Sequence, residues 1–275
     1  MTNSNETSPT SRPFVIGIGG GSGSGKTYLA NRISEVATGE QVSVLSMDSY
    51  FKSLQPGDGV PDPRDVNFDH PAHIDLNLFL QDLDSLRRGE KVRRPSYDFR
   101  TQIQTPASVE VEPRKVIVVE GLFVLASPIA DRLDLSLFLE VAPDQRLIGR
   151  ILRDVKERGA DIYWTIDRYQ RFVRPSYDEF VEPTKHNADV VVDFTFRRAL
   201  FVELLTHVVA DFVSDSFDAR SFVQRVREDT FRQGAIGTRS RRPVDLNTLI
   251  ERSTVRPIGE PGEEPVLQAC DNSNC

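Results

Sequence analysis

The stretch Gly20-Gly21-Ser22-Gly23-Ser24-Gly25-Lys26-Thr27 follows directly on the apolar run Phe14-Val15-Ile16-Gly17-Ile18. It fits G-x-x-x-x-G-K-[ST] with the strand in front that a phosphate-binding loop requires. The glycines let successive backbone N–H groups turn inward around phosphate oxygens at a helix N-terminus. Lys26 is placed to reach the β and γ phosphates, and Thr27 to meet a Mg²⁺ ion. A dinucleotide fingerprint is excluded, because no three of these glycines sit at i, i+2 and i+5. Residues Gly20, Gly21, Ser22, Gly23, Ser24, Gly25, Lys26 and Thr27 are therefore expected to bind a nucleoside triphosphate.

Outward from this loop, the chain of 275 residues is 39% hydrophobic and 27% charged, the balance of an ordinary globular protein with room for a full core. A formal charge of −7 sets the overall field against a nucleic-acid partner. No apolar run approaches the ~20 residues of a membrane helix. Met1 to Pro13 has neither a basic start nor an apolar stretch, so the expectation is a cytoplasmic protein with a disordered start at 1–13. The 2 cysteines, Cys270 and Cys275, fall in a polar tail and cannot staple a core.

Short runs rich in β-branched residues alternate with longer helical patterns, which predicts an α/β fold with a parallel sheet wrapped by crossover helices. Strands are expected near Phe14 to Gly19, Val42 to Met47, Lys115 to Glu120, Leu135 to Val141 and Asp189 to Phe194. The first helix should begin at Lys26. An insertion from Asp48 to Pro113, rich in Pro, Gly, Asp and aromatic residues, carries one helical stretch near Asp75 to Arg88, and a segment this long inside a domain usually serves function. Paired apolar residues from Leu200-Phe201 to Phe212 predict an amphipathic helix docked on the sheet, and a further helix is expected from Ala219 to Phe231. The main domain is thus placed at 14–233, with a loosely packed tail at 234–275.

Parallel sheets present reactive side chains at the carboxyl ends of their strands. Asp48 and Glu120 stand there, each closing an apolar run. If both strands flank the loop strand, the two carboxylates converge on the γ-phosphate. Asp48 is then placed to accept the proton of an attacking hydroxyl, and Glu120 to hold Mg²⁺ through water. A transferring phosphoryl group also needs cations that close over it. Arg146, Arg150 and Arg153 follow spacings of four and three and share one helix face, within a candidate lid at 144–168.

Taken in order, these residues resemble the uridine kinase (uridine–cytidine kinase) family of P-loop kinases over roughly Phe14 to Asp193. Beyond the phosphate loop, the landmarks are Met47-Asp48-Ser49-Tyr50-Phe51, Asn67-Phe68-Asp69-His70-Pro71, Pro95-Ser96-Tyr97-Asp98-Phe99, Glu120-Gly121, Arg153-Asp154 with Glu157-Arg158-Gly159, and Glu182-Pro183-Thr184-Lys185. The resemblance implies transfer of the γ-phosphate of ATP or GTP to the 5′-hydroxyl of a pyrimidine ribonucleoside, with Mg²⁺, by a protein that is commonly a homo-oligomer. It implies Asp48 as base and Arg153, with Arg150, on the lid and substrate side; Asp48, Lys26 and Arg153 are together expected to be catalytic. It places Asp69 on the ribose hydroxyls and Tyr97 in the nucleoside pocket.

Departures fall where the base would be read. Gln102 stands in place of a family His, Ala160 in place of an Arg, and Arg168 in place of the Gln before Tyr169. Gln102 still offers a donor and an acceptor, and Gln102 and Arg168 are expected at the substrate. The order Tyr50-Phe51 reverses the family's Phe-Tyr and is expected to move a hydroxyl within the pocket. Kinases of other small hydroxyl-bearing metabolites, phosphoribulokinase-like or pantothenate kinase-like, therefore stay open, as does a non-catalytic nucleotide-binding regulator.

Overall fold

A computed structural model of the chain describes residues 12–36, 41–54, 65–232 and 244–258. Residues 1–11 of the expected disordered start and both cysteines lie outside them, while Arg12, at the end of that start, pairs with Asp134 at 2.7 Å. Five parallel strands form the main sheet: β1 (Phe14–Gly20), β2 (Val42–Ser46), β5 (Val116–Glu120), β6 (Leu135–Glu140) and β7 (Val190–Asp193). Their order across the sheet is β2-β5-β1-β6-β7. All five match the expected strands to within a residue or so at each end.

Cover on both faces explains why the central strands β1 and β5 are buried along their whole length, whereas the edge strand β7 leaves Val190 and Val191 exposed. In β5, Ile117 and Val119 belong to the core on one face, with Leu45, Phe123 and Phe138. Val116 and Val118 belong to the other, with Ile16, Leu29 and Leu137. Parallel register aligns Ile18 and Ser46 with Glu120, so the carboxyl ends of β1, β2 and β5 meet at one edge.

The helix α1 (Lys26–Val36) begins at the expected residue and packs on the second face. The insertion contains α2 (Leu76–Arg87), capped by the Asp75 side chain accepting from Leu78 N. It also contains an antiparallel hairpin of β3 (Val92–Asp98) and β4 (Ile103–Val111) that sequence reading did not place. The hairpin escaped because β4 is almost wholly exposed and its alternation from Ile103 to Val111 contains Pro106, a residue that argues against a strand.

On the lid side, α3 (Pro143–Lys156) leads to α4 (Ile162–Arg168). The chain winds on through a wide π segment (Tyr169–Val173), the short α5 (Arg174–Ser176) and a second π segment (Tyr177–Val181). In α3 the usual polarity is inverted: Arg146, Arg150 and Asp154 are buried, while Ile148 and Leu152 are exposed at 50% and 62%. The charged face looks inward because it closes on the phosphate loop.

The helices α6 (Arg198–Val213) and α7 (Ala219–Arg232) follow the sheet as expected. Only half of each apolar pair in α6 is used. Val202, Leu205 and Val209 are buried, whereas Leu200, Leu204 and Val208 face out.

One expectation is corrected. Within the supposed loose tail, α8 (Leu246–Arg252) is capped by Asp245, buries Leu246 and packs Leu249, Ile250 and Val255 against the core that holds Phe180 and Val181. Its single turn-and-a-half of apolar pattern is too short to register as sustained periodicity. No helix among the described residues is long and apolar enough to cross a membrane.

Candidate active site

The phosphate loop leaves β1 at Gly20 and enters α1 at Lys26, closed by Ser24 N donating to Gly21 O at 3.1 Å and Leu29 N to Gly25 O at 3.0 Å. Gly23 sits at φ 80°, and a Cβ there would lie 2.3 Å from the Arg146 carbonyl oxygen. Only glycine fits both the left-handed backbone and that close approach. Lys26 Nζ donates to Gly20 O and Gly21 O, each at 2.9 Å. Burial lowers the pKa of this ammonium, against the opposing charges of Glu120 and Asp48.

Asp48 lies in the helical turn Met47–Tyr50 that ends β2, and Glu120 is the last residue of β5. The two acids line one cleft with the phosphate loop, as the sequence predicts. Glu120 is 2% exposed. Its Oε1 accepts from Ser46 Oγ at 2.5 Å and Thr27 Oγ1 at 3.3 Å. Burial first and the Asp48 charge second push the Glu120 carboxyl above its ordinary value, with Lys26 opposing. Ser46 was not foreseen. Its only signal is its place, the final residue of β2 and the register partner of Glu120.

The cleft has a volume of about 1050 Å³ and runs from the phosphate loop to the hairpin and the lid helices. Arg150 and Arg153 line it, but Arg146 does not. The Arg146 guanidinium stacks on Tyr177 at 3.6 Å and its Nε donates to Val141 O, so it braces the loop from behind. Arg150 Nη1 donates to Ser22 Oγ at 2.9 Å and pairs with Asp69 at 3.5 Å, joining the phosphate loop to the substrate side.

Asp154 is the hub of the lid, pairing with Arg150 at 3.2 Å, Arg153 at 2.9 Å and Arg158 at 3.3 Å. Burial opposes ionisation of this carboxyl, but the three arginines together hold it below the usual carboxylate range. Arg158 stacks on Phe99 of the hairpin at 3.8 Å, so lid and insertion clasp across the cleft. Burial, with Arg153 nearby, brings Arg158 down to about 10.

Opposite the loop, Phe51, Tyr97 and Phe99 form a cluster with ring centroids 5.1 to 5.7 Å apart, and Phe51 extends it to Phe68. These rings offer an apolar wall for a flat ligand. Burial pushes the Tyr97 phenol up to about 12. Gln102 sits at the hairpin turn with φ 59°, its N–H donating to Asp98 O at 2.7 Å, and it lines the cleft. Arg168 lies at the cleft floor, 2% exposed, within 5.3 Å of the rings of Phe68, Trp164 and Phe172, and donates from Nη2 to Val66 O. Burial first, then Arg150, lowers it to about 10.

Tyr50 corrects the sequence expectation. Its hydroxyl does not move within the pocket; it leaves it. Tyr50 is fully buried, donates to Asp82 Oδ2 of α2 at 2.6 Å and packs edge-on against Phe79, while Phe51 turns to the cleft.

Three comparisons place this geometry among known proteins. The family model described as "Phosphoribulokinase / Uridine kinase family" matches residues 15–199. A uridine kinase of Bacillus pumilus is 42% identical over 196 residues, which is 71% of this chain and 93% of that protein. A uridine kinase of Staphylococcus aureus is 34% identical over 201 residues, 73% of this chain and 97% of that one. Among solved structures, a Silicibacter protein described as a fructose transport system kinase aligns with a TM-score of 0.54 at 22% identity, over 69% of this chain and 93% of its own. That similarity concerns the fold alone.

Proposed function

Since the chain belongs to the phosphoribulokinase/uridine kinase family, we propose that it transfers the γ-phosphoryl group of ATP or GTP to the 5′-hydroxyl of uridine or cytidine. The observation that carries this reading is the meeting, in one cleft, of a phosphate loop with Lys26, two strand-end carboxylates, and an aromatic pocket lined also by Asp69. Relatives described as uridine kinases, at 34% to 42% identity, support a nucleoside over a sugar phosphate or pantothenate.

The triphosphate lies along Gly20 to Thr27, its negative charge met by the loop amides, Lys26 and the N-terminus of α1. The pyrimidine packs between the aromatic rings, and the Asp69 carboxylate accepts from the vicinal ribose hydroxyls. The 5′-hydroxyl oxygen attacks the γ-phosphorus. The bond to the β–γ bridging oxygen breaks, the nucleoside diphosphate leaves, and the hydroxyl proton passes to the Asp48 carboxylate. Arg153 and Arg150, fixed by Asp154, supply fixed positive charge to the transferring group. The donor set of Thr27 and Glu120 is all oxygen, which suits a hard cation such as Mg²⁺. Bound there, the ion would neutralise charge on the phosphates.

Gln102 presents a donor and an acceptor on one amide, so it suits either pyrimidine. The reading is tested by offering the purified protein ATP with uridine, cytidine, adenosine, guanosine, ribulose 5-phosphate and pantothenate, identifying products by mass. Selective formation of the pyrimidine monophosphates is expected. Turnover of another acceptor with silence on both pyrimidines would overturn the reading.

A further inference from the structure

The family model ends at residue 199, yet the segment 244–258 reaches back to the substrate side of the cleft. Its start is fixed at Ser127 and Asn187. Ser127 N donates to Val244 O and Leu246 N to Ser127 O, while Val244 N and the Val244 carbonyl are both bonded by the Asn187 side chain. Its middle is α8, with Leu246 in the core. Its end is held twice. Glu179 accepts from Ser253 Oγ and from Thr254 N and Oγ1, and Ile258 forms an antiparallel bridge with Val66.

What this end touches is the loop that carries Asp69. Asn67 is fully buried, and every polar group of that residue is used. Asn67 N donates to Pro257 O at 2.8 Å, and Nδ2 donates to Arg256 O at 3.1 Å and Ser176 Oγ at 3.0 Å. In the other direction, Asn67 Oδ1 accepts from Asp69 N at 3.1 Å and Asn67 O from His70 N at 3.0 Å. The ring of His73, on the same loop, lies 3.1 Å from Pro257 O. One buried amide thus connects the C-terminal segment to the backbone of Asp69, and Asp69 in turn pairs with Arg150.

We infer that the segment 244–258 is a strap that sets the acceptor subsite, with Asn67 as the positioning residue that transmits its hold to Asp69. The inference rests on Asp69 serving the acceptor, as proposed above. Nothing in the strap lines the cleft, and the phosphate loop makes no contact with it in these bonds. Loosening it should therefore weaken the acceptor and spare the triphosphate. A buried side-chain hydrogen bond contributes about as much as a tenfold change in an equilibrium constant, which sets the scale of the effect.

The test uses two full-length variants. Glu179→Ala unclasps Ser253 and Thr254 at a distance from the cleft, and Asn67→Ala cuts the link itself. Amide hydrogen exchange is followed at Asn67, Asp69 and His70, with Leu29 in the first turn of α1 as reference. Kinetics with uridine and ATP are measured alongside. In Glu179→Ala the strap predicts exchange about tenfold faster at Asn67 and Asp69 and unchanged at Leu29. It also predicts a KM for uridine raised about tenfold, with kcat and the KM for ATP within about twofold of the parent. Glu179→Gln, which keeps an acceptor oxygen, should recover most of both effects.

Unchanged exchange at Asn67 and Asp69 would overturn the inference, as would a parallel loss in kcat and both KM values, which is the mark of general destabilisation. If Asn67→Ala does not fold, the Glu179 pair still decides. If the parent protein does not phosphorylate uridine at all, the functional reading fails separately, and the exchange comparison alone judges the strap.

Discussion

Replacing Tyr50 by Phe should cost stability and leave the reaction alone. The ring keeps its place, because its edge-on contact with Phe79, centroids 5.1 Å apart at 89°, does not involve the hydroxyl. What is lost is one bond of 2.6 Å from the phenol to Asp82. Hydrogen bonds to charged partners contribute about 1.5 to 3 kcal/mol. Asp82 is only half-buried, so water recovers part of that, and a loss of about 1.5 kcal/mol is expected. For a domain of this size that corresponds to a fall in Tm of roughly 3 to 6 °C. Burial already holds the Asp82 carboxyl above its ordinary value while the Tyr50 bond draws it down. Removing the bond raises it further, so the cost should be greatest near neutral pH and shrink in acid as Asp82 takes up a proton. Urea unfolding of both proteins at pH 7, with uridine kinetics on the same samples, gives the answer. A KM for uridine changed more than about threefold would refute the placement of this hydroxyl outside the pocket. Unaltered stability would refute the energetic reading of the Asp82 bond.

Other consequences follow from the same geometry. Gly23→Ala forces a side chain into the left-handed region and against the Arg146 carbonyl at 2.3 Å, so ATP affinity by calorimetry should fall more than about tenfold. His70 is buried beside His73, and both effects lower its pKa from 6.5 to about 4. The folded state therefore disfavours the protonated ring: the stability is fully present above pH 6.5 and is lost as pH falls toward 4. By pH 5 the loss from this group is about 2 kcal/mol. Urea midpoints should drop accordingly, and the drop between pH 7 and pH 5 should be smaller in His70→Asn, which keeps an acceptor for Ala72 N.

How much of this was legible in the sequence depended on how local each signal was. The phosphate loop and the five main strands declared themselves, because a Gly-rich loop and short runs rich in β-branched residues are written in consecutive residues. Asp48 and Glu120 could be found by strand position alone. The lid was half legible: spacing put Arg146, Arg150 and Arg153 on one face, but only packing separates Arg146, braced on Tyr177, from the two that reach the cleft. The pairs of Asp154 are local, with Arg150 and Arg158 four residues to either side and Arg153 adjacent, but its burial and the reach of Arg158 to Phe99 depend on tertiary approach. The hairpin and the strap were missed for a related reason. In β4 the alternation from Ile103 to Val111 is interrupted by Pro106 and mostly exposed, and in the segment 244–258 the apolar positions Leu246, Leu249 and Ile250 are too few to show a period, the rest of its hold coming from backbone carbonyls and single side chains.

The central claim is tested most directly by single-turnover reaction of the parent and of Asp48→Asn with ATP, Mg²⁺ and uridine, with the product identified by mass and ATP binding measured on the same samples. The account predicts uridine 5′-monophosphate from the parent, and from the variant retained ATP binding with a rate lower by about 10² to 10⁴. A folded, ATP-binding parent that forms no uridine monophosphate, or a variant that forms it at the parent rate, would contradict it.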